Sequence, residues 1–267
     1  MRREPPLKPC PEPCLEPESR PEAGPDDPPR LLAGPQCPDG GPGLAPGRGR
    51  APWWRRTALL LPAPGPTPFT FTYLCVLVAT SLFAEFGDRG VVGVLLHASS
   101  TDVAHLSRDP LLVLVASALW VAGGLASPYV VGFVFVLTAL ERRIGAWRAA
   151  AVFLVGHVVA TLATEVPVAV SVVAGHLPGS SLHRLDYGIS FGLLACVGAL
   201  AGLLTPLLRV LVLAWVAVML LHDLLKLEDP VADWGHPLAL LIGVCGWPLV
   251  RRAARRQSRT TPVSGPW

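Results

Sequence analysis

The chain has 267 residues, of which 51% are hydrophobic and 15% are charged, and its formal net charge at pH 7 is +3. The charges gather at the two ends and between long apolar runs, a pattern that excludes an ordinary soluble globular protein. We therefore predict a multi-pass membrane protein that resides in the lipid bilayer, with no nucleic acid as a partner and no cofactor or metal.

Residues 1–67 differ from the rest of the chain, because they hold 18 of the 29 prolines and show no apolar periodicity. We predict that they form a disordered tail, since such a segment cannot bury enough apolar surface to fold. Its last part, residues 48–56, combines four arginines with Trp53 and Trp54. This combination is typical of a segment that anchors at a membrane surface.

Six apolar runs follow, each close to the length of a membrane span. The run at 111–140 is too long for one span, and the small residues between Gly123 and Pro128 predict a break in it. Pro167 predicts an interruption of the third span. We predict an all-α membrane protein with a six-span helical bundle at 68–250 and a basic tail at 251–267. The six runs are residues 69–86, 111–140, 149–174, 187–204, 207–225 and 234–250.

The basic residues divide unequally between the two sides of such a bundle. Placing both termini in the cytoplasm puts eighteen Lys and Arg residues on the inner side and four on the outer side. Loops rich in Lys and Arg remain cytoplasmic. We therefore predict a protein of the plasma membrane whose termini and residues 141–148 are cytoplasmic.

Spans four and six carry a serine and a histidine at similar positions. Ser190 and His236 both fall near the predicted outer ends of helices that run in the same direction, so they are expected to meet. A hydroxyl and an imidazole within hydrogen-bond reach form a nucleophile and a general base. Asp186 and Asp233 precede the two spans and are the predicted N-caps. The alternative is that the serine and the histidine only form a polar contact between helices.

Small residues recur at helical spacing in span four, and they predict close packing with neighbouring helices. They are Gly188, Gly192, Ala195, Ala199 and Gly202.

These features resemble the rhomboid family of intramembrane serine proteases, and most of all its divergent rhomboid-like members from actinobacteria. The resemblance covers roughly residues 69–250 and is carried by GISFG at 188–192, HPLALLIG at 236–243 and ERRIG at 141–145. It implies an outward-facing Ser-His dyad without an acid. The implied roles are Ser190 as nucleophile, His236 as base, Gly188 and Gly192 as motif support at the oxyanion, and Glu141 with Gly145 as the structural end of span two.

The chain also departs from the family pattern. Phe191 stands where the family usually has glycine, and it is a candidate to compensate for the aromatic contact that is missing at position 194, although it points in a different direction from that position. Leu194 replaces an aromatic residue that packs on the histidine in many members. The family's oxyanion-binding histidine and asparagine on span two correspond to positions near Leu125 and Tyr129, so both are missing.

Two functions therefore remain open. One is a serine peptidase that cleaves transmembrane substrates. The other is a catalytically inert rhomboid-like protein that binds transmembrane helices.

His157 is a further candidate, because it lies near the middle of span three and ionisable residues at that depth are often functional. We favour a hydrogen bond between helices as its role. A metal site with Glu165 lacks a third ligand.

Overall fold

The structure is a computed structural model that describes residues 61–183, 186–226 and 230–260. Residues 1–60 of the predicted tail at 1–67 and residues 261–267 of the predicted basic tail lie outside the described residues. The described residues form ten α-helices and one 3-10 helix (Gly179–His183), without a β-strand. The α-helices are α1 (Pro68–Phe86), α2 (Arg89–Ala98), α3 (Val103–Arg108), α4 (Pro110–Ser117), α5 (Pro128–Ile144), α6 (Ala146–Val173), α7 (Ser190–Ala201), α8 (Pro206–Lys226), α9 (Pro230–Cys245) and α10 (Trp247–Thr260).

Three of these helices, α1, α6 and α8, are long and apolar enough to cross a bilayer. Helices α9 and α10 qualify together as a fourth span, although the chain bends by 51° between them. Helix α7 has 12 residues and covers only about 18 Å at the usual helical rise. The protein is thus a multi-pass helical membrane protein, and the count of six spans stays a prediction.

Prolines and glycines determine several helix boundaries. The predicted break in the second apolar run is present, because Gly123 and Gly124 have φ angles of 82° and 69° and α5 begins only at Pro128. The predicted interruption at Pro167 is wrong, since α6 continues through it to Val173. Inside a helical bundle in lipid, neighbouring groups compensate for the hydrogen bond that a proline cannot donate.

Glu141 joins the last turn of α5 to the first turn of α1. Its buried carboxylate accepts hydrogen bonds from the N–H of Phe69 (2.9 Å), the N–H of Thr70 (2.8 Å) and the hydroxyl of Thr70 (2.6 Å). The two N–H groups belong to the first turn of α1, where no partner exists within the helix. Gly145, with a φ of 87°, then turns the chain from α5 into α6. Three helix ends are therefore held together at this end of the bundle.

Helix α7 lies at the centre of the bundle and contacts α5, α6, α8 and α9. A Cβ atom built on Gly243 would overlap the carbonyl oxygen of Ala195 and lie 2.8 Å from the nitrogen of Ala199. Two turns earlier on α9 and one turn earlier on α7, a Cβ atom built on Gly235 would overlap the ring of Phe191. The contacts advance in the same direction on both helices, so α7 and α9 are parallel.

Helix α6 packs on the other side of α7. A Cβ atom on Gly192 would lie 2.6 Å from the ring of Phe153, and one on Gly156 would overlap the Cβ of Ala195. The small residues of α7 therefore allow close approach, as predicted, but the inclusion of Gly188 in this helical stripe is wrong, because Gly188 precedes the helix.

We predict that Gly243→Ala destabilises the protein by about 1–3 kcal/mol, because the added methyl group would overlap the backbone of α7. Thermal unfolding of the purified protein in detergent measures the loss. The matched control is Gly93→Ala in α2, where no atom lies within 4 Å of the new Cβ. The control should unfold at the wild-type temperature or slightly above it, since alanine favours the helix. Equal melting temperatures for Gly243→Ala and the wild type would contradict the close contact.

Candidate active site

Ser190 is the half-buried first residue of α7. Ile189 occupies the N-cap position and has no side-chain acceptor, and the first hydrogen bond within the helix runs from the N–H of Leu193 to the carbonyl of Ile189 (2.9 Å). The N–H groups of Ser190, Phe191 and Gly192 therefore have no acceptor within the helix. A hydroxyl and several N–H donors thus share the positive end of the α7 dipole.

The predicted capping role of Asp186 is wrong, because α7 starts at Ser190. Asp186 instead binds the connection between α2 and α3. Its carbonyl accepts from the N–H of Thr101 (2.8 Å), its carboxylate accepts from the hydroxyl of Thr101 (3.1 Å), and its N–H donates to the hydroxyl of Ser100 (3.0 Å). Gly188, between Asp186 and the helix, has a non-helical backbone and prevents an earlier start.

Asp233 does not occupy the N-cap position of α9 either. That helix begins at Pro230. Proline is favoured at the first position of a helix, because an N–H at that position has no acceptor within the helix. Asp233 therefore lies inside the first turn, where it is 8% exposed and three residues before His236. Residues at this spacing share one face of a helix.

Gly188 determines the direction in which the chain enters α7. Its φ of 137° belongs to a region that residues with a side chain rarely adopt. It is buried, and its N–H donates a 3.0 Å hydrogen bond to the carbonyl of Ser117. The conformation of Gly188 therefore depends on the turn that follows α4.

This turn, residues 117–120, is held in place by helix α1. The hydroxyl of Tyr73 donates to the carbonyl of Ala118 at 2.6 Å, and the hydroxyl of Thr80 donates to the carbonyl of Leu119 at 2.7 Å. Both acceptors are backbone carbonyls of the turn that follows α4. The first span thus positions the turn on which Gly188 rests.

His157 on α6 supports the same region from the opposite side. Its buried Nε2 lies 3.0 Å from the carbonyl of Leu114 and 3.2 Å from the hydroxyl of Ser117. Its Nδ1 has no hydrogen-bond partner in the part of the chain that the structure describes, so the proton belongs on Nε2 and is donated to Leu114. The predicted interhelical hydrogen bond of His157 is confirmed. No cluster of potential metal ligands is found among the described residues.

His236 is buried in the second turn of α9 and packs between two aromatic rings. The ring of Phe191 meets it edge-on at 5.4 Å between centroids, and the ring of Tyr129 lies at 6.2 Å. Phe191 therefore makes the aromatic contact with the histidine for which it was the candidate. Gly235 makes room for it, because a Cβ atom there would overlap the Phe191 ring.

Ser190 and His236 therefore lie at corresponding ends of two parallel helices that touch each other. Phe191, which follows the serine directly, contacts the imidazole. Among the hydrogen bonds between described residues, none joins the Ser190 hydroxyl to His236. Catalytic hydrogen bonds are often long or misaligned in the absence of substrate, so this arrangement is compatible with a dyad that closes on binding.

Sequence reasoning missed two features of this end of the bundle. Tyr129 was identified only as the position of an absent oxyanion residue, although its ring packs on His236. A cavity of about 490 Å³ also opens between α1, α2 and residues 120–126, and Tyr187 forms part of its lining. No sequence signal reveals this cavity, since helices distant in the chain form its walls.

The fold and the site define a helical membrane protein with a serine and a histidine at neighbouring helix ends. A sequence profile that describes rhomboid-like proteins matches residues 63–256. No curated protein and no solved structure matches the chain. Since the profile covers well over half of the chain, the protein belongs to the rhomboid-like family.

We predict that His157→Ala lowers the stability of the protein, because the carbonyl of Leu114 loses its buried donor. Polar contacts between membrane helices contribute about 0.6 kcal/mol on average and at most about 1.7 kcal/mol, so a small but measurable fall in melting temperature is expected. His157→Gln retains an N–H donor and should recover part of it. His97→Ala, an exposed helical histidine, is the control and should melt as the wild type does. An unchanged melting temperature for His157→Ala would show that the hydrogen bond contributes nothing.

Proposed function

We propose that the protein is a rhomboid-like serine peptidase that cleaves transmembrane protein substrates with Ser190 and His236. The observation that supports this proposal is the placement of these residues at matching ends of the parallel helices α7 and α9, with Phe191 packed on the imidazole. The family match supports a rhomboid-type membrane protein. The peptidase activity goes beyond this match and is our proposal.

In the proposed reaction, the hydroxyl oxygen of Ser190 attacks the substrate carbonyl while His236 accepts the hydroxyl proton. The oxyanion that develops is stabilised by N–H groups in the first turn of α7, at the positive end of its dipole. His236 then returns the proton to the leaving amine as the peptide bond breaks. Water hydrolyses the resulting acyl-enzyme in the second half of the reaction. Gly188 and Gly192 support the serine by fixing the chain path before and after it.

A cavity that is lined by Tyr187, three residues before the serine, but by neither Ser190 nor His236, offers space for an extended peptide. The cavity next to Tyr187 provides about 490 Å³ of space, and Gly123 and Gly124 line it without side chains. A transmembrane helix has to unwind locally before its peptide bonds can reach a nucleophile, and such a segment needs polar surroundings. Ser81 and Glu85 supply polar groups to the lining.

The first test is labelling of the purified full chain with a fluorophosphonate, which reacts with nucleophilic serines. We expect labelling at Ser190, none in Ser190→Ala, and strongly reduced labelling in His236→Ala. Labelling should be slow, because each missing oxyanion side chain costs about 10²-fold to 10³-fold in rate. Mass spectrometry of the labelled protein identifies the modified residue.

The matched controls are Ser107→Ala and His97→Ala, which remove an exposed serine and an exposed histidine from the described chain. Both should label at the wild-type rate. If folded wild-type protein remains unlabelled at every serine, the peptidase proposal fails. Melting curves of all variants show whether each of them is folded.

The second candidate is an inert rhomboid-like protein that binds transmembrane helices. Two observations favour it: no hydrogen bond joins Ser190 to His236 among the described contacts, and an aromatic ring, that of Tyr129, lies beside the imidazole where the family places polar oxyanion ligands. For such a protein, Ser190→Ala and His236→Ala would leave client binding intact, and labelling would be absent from the start.

We also propose a plasma-membrane protein whose termini are cytoplasmic, because this orientation places most of the basic residues inside. We predict that a single cysteine at Arg143→Cys is protected from a membrane-impermeant maleimide in intact cells, whereas one at His97→Cys reacts. Both positions are exposed at opposite ends of the described helices. Labelling uses a background that lacks the native cysteines. The reverse pattern would invert the orientation.

A further inference from the structure

A groove of about 450 Å³ opens on the side of the bundle between α6, α9 and α10. It lies towards the end of the bundle at which α6 begins and α7 ends, opposite to Ser190. Its floor consists of small residues, Ala195 and Ala199 of α7 and Gly243 of α9, and its walls include Val155 and Ile242. The interior is therefore apolar and has room for a flexible chain of methylene groups.

Three arginines line the end of this groove where α6 begins. Arg148 belongs to the first turn of α6. Arg252 and Arg256 lie one turn apart on α10, so these two arginines share a face of α10. No carboxylate is among the described residues that line the groove. Trp147 is 71% exposed beside them, as is typical of residues at the level of lipid headgroups.

The two parts of the groove are arranged along the direction of the helices. Val155 follows Arg148 by seven residues, so the apolar wall extends roughly 10 Å from the arginines into the depth of the bilayer. Guanidinium groups bind phosphate oxygens in a bidentate manner, and basic residues near a membrane surface attract anionic lipids. A charged end and an apolar channel of this length match the headgroup and the upper acyl chain of a phospholipid.

We propose that this groove binds one anionic phospholipid. Its phosphate contacts Arg148, Arg252 and Arg256, and one of its acyl chains lies between Val155 and Ile242. The inference does not depend on the peptidase proposal, because the groove contains neither Ser190 nor His236.

The test measures lipid binding to the intact chain in a neutral detergent. Native mass spectrometry compares phosphatidylglycerol with phosphatidylcholine of the same acyl chains. We expect one molecule of phosphatidylglycerol to bind at least about tenfold more tightly than phosphatidylcholine, since the headgroup facing the three arginines is anionic in the former, whereas the choline cation neutralises it in the latter. The triple variant Arg148→Gln, Arg252→Gln, Arg256→Gln should lose this preference.

The matched control is Arg143→Gln, Arg255→Gln, Arg259→Gln, which removes the same charge from exposed positions outside the groove. It should keep the preference. If both triple variants lose it equally, binding is due to general surface charge and the proposal fails. Soluble glycerol phosphate should bind far more weakly than the lipid, and equal affinity would overturn the role of the acyl channel.

A measurement on the wild-type protein avoids any variant that fails to fold. Phosphatidylglycerol with a photoreactive diazirine on its acyl chain should crosslink to Val155 or Ile242, and unlabelled phosphatidylglycerol should compete with it. Crosslinks found only on α1 or α8 would show that the lipid binds elsewhere. If a second copy of the chain fills the groove instead, the mass spectrum shows a dimer that excludes the lipid, and the proposal is wrong.

Discussion

The direct contact between the backbones of α7 and α9 is the constraint on which the candidate site depends. Gly243 has no side chain, so the carbonyl of Ala195 can lie against it. In lipid there is no hydrophobic force between helices, and close packing of this kind replaces it. Because the two helices are parallel at this contact, their N-terminal ends lie side by side. Ser190 and His236 therefore lie at the same end of the bundle, and a residue larger than glycine at 243 would move the two helices apart.

Hydrogen bonds supply the rest of the support, and each of them satisfies a backbone group at a helix end or in the adjoining turn. Glu141 binds the first turn of α1, Tyr73 and Thr80 bind the turn at 117–120, and that turn binds Gly188. Water cannot satisfy such groups inside a bilayer, so unpaired ones would cost several kcal/mol. These hydrogen bonds thus join helices through backbone groups that have no partner within a helix. The site at α7 is an exception, since Ile189 leaves the N-cap position without a side-chain acceptor.

Two of the positions at which the chain departs from the family pattern, Phe191 and Tyr129, lie beside His236 in the structure. Phe191 replaces a glycine in the motif, and its ring fills the space above Gly235 and packs on His236. Leu194, where many members have an aromatic residue, is therefore not needed for that contact. Tyr129 approaches the imidazole from α5 at a position where the family carries a polar ligand. Both rings lie against the imidazole, and in the proposed reaction the oxyanion would be stabilised by backbone N–H groups of α7.

The sequence by itself determined the class of fold and the candidate residues. Hydropathy identified the long helices, the run of small residues between Gly123 and Pro128 predicted the break before α5, and the small residues of α7 predicted its central place. These signals are local, since they depend on composition and spacing within one segment. Only the tertiary structure decided where α7 begins, because the backbone of Gly188 is bound to the carbonyl of Ser117 in a distant segment, and the capping role expected of Asp186 failed for that reason. The direction of Phe191 likewise depended on the absence of a side chain at Gly235, a contact between helices that no local pattern encodes.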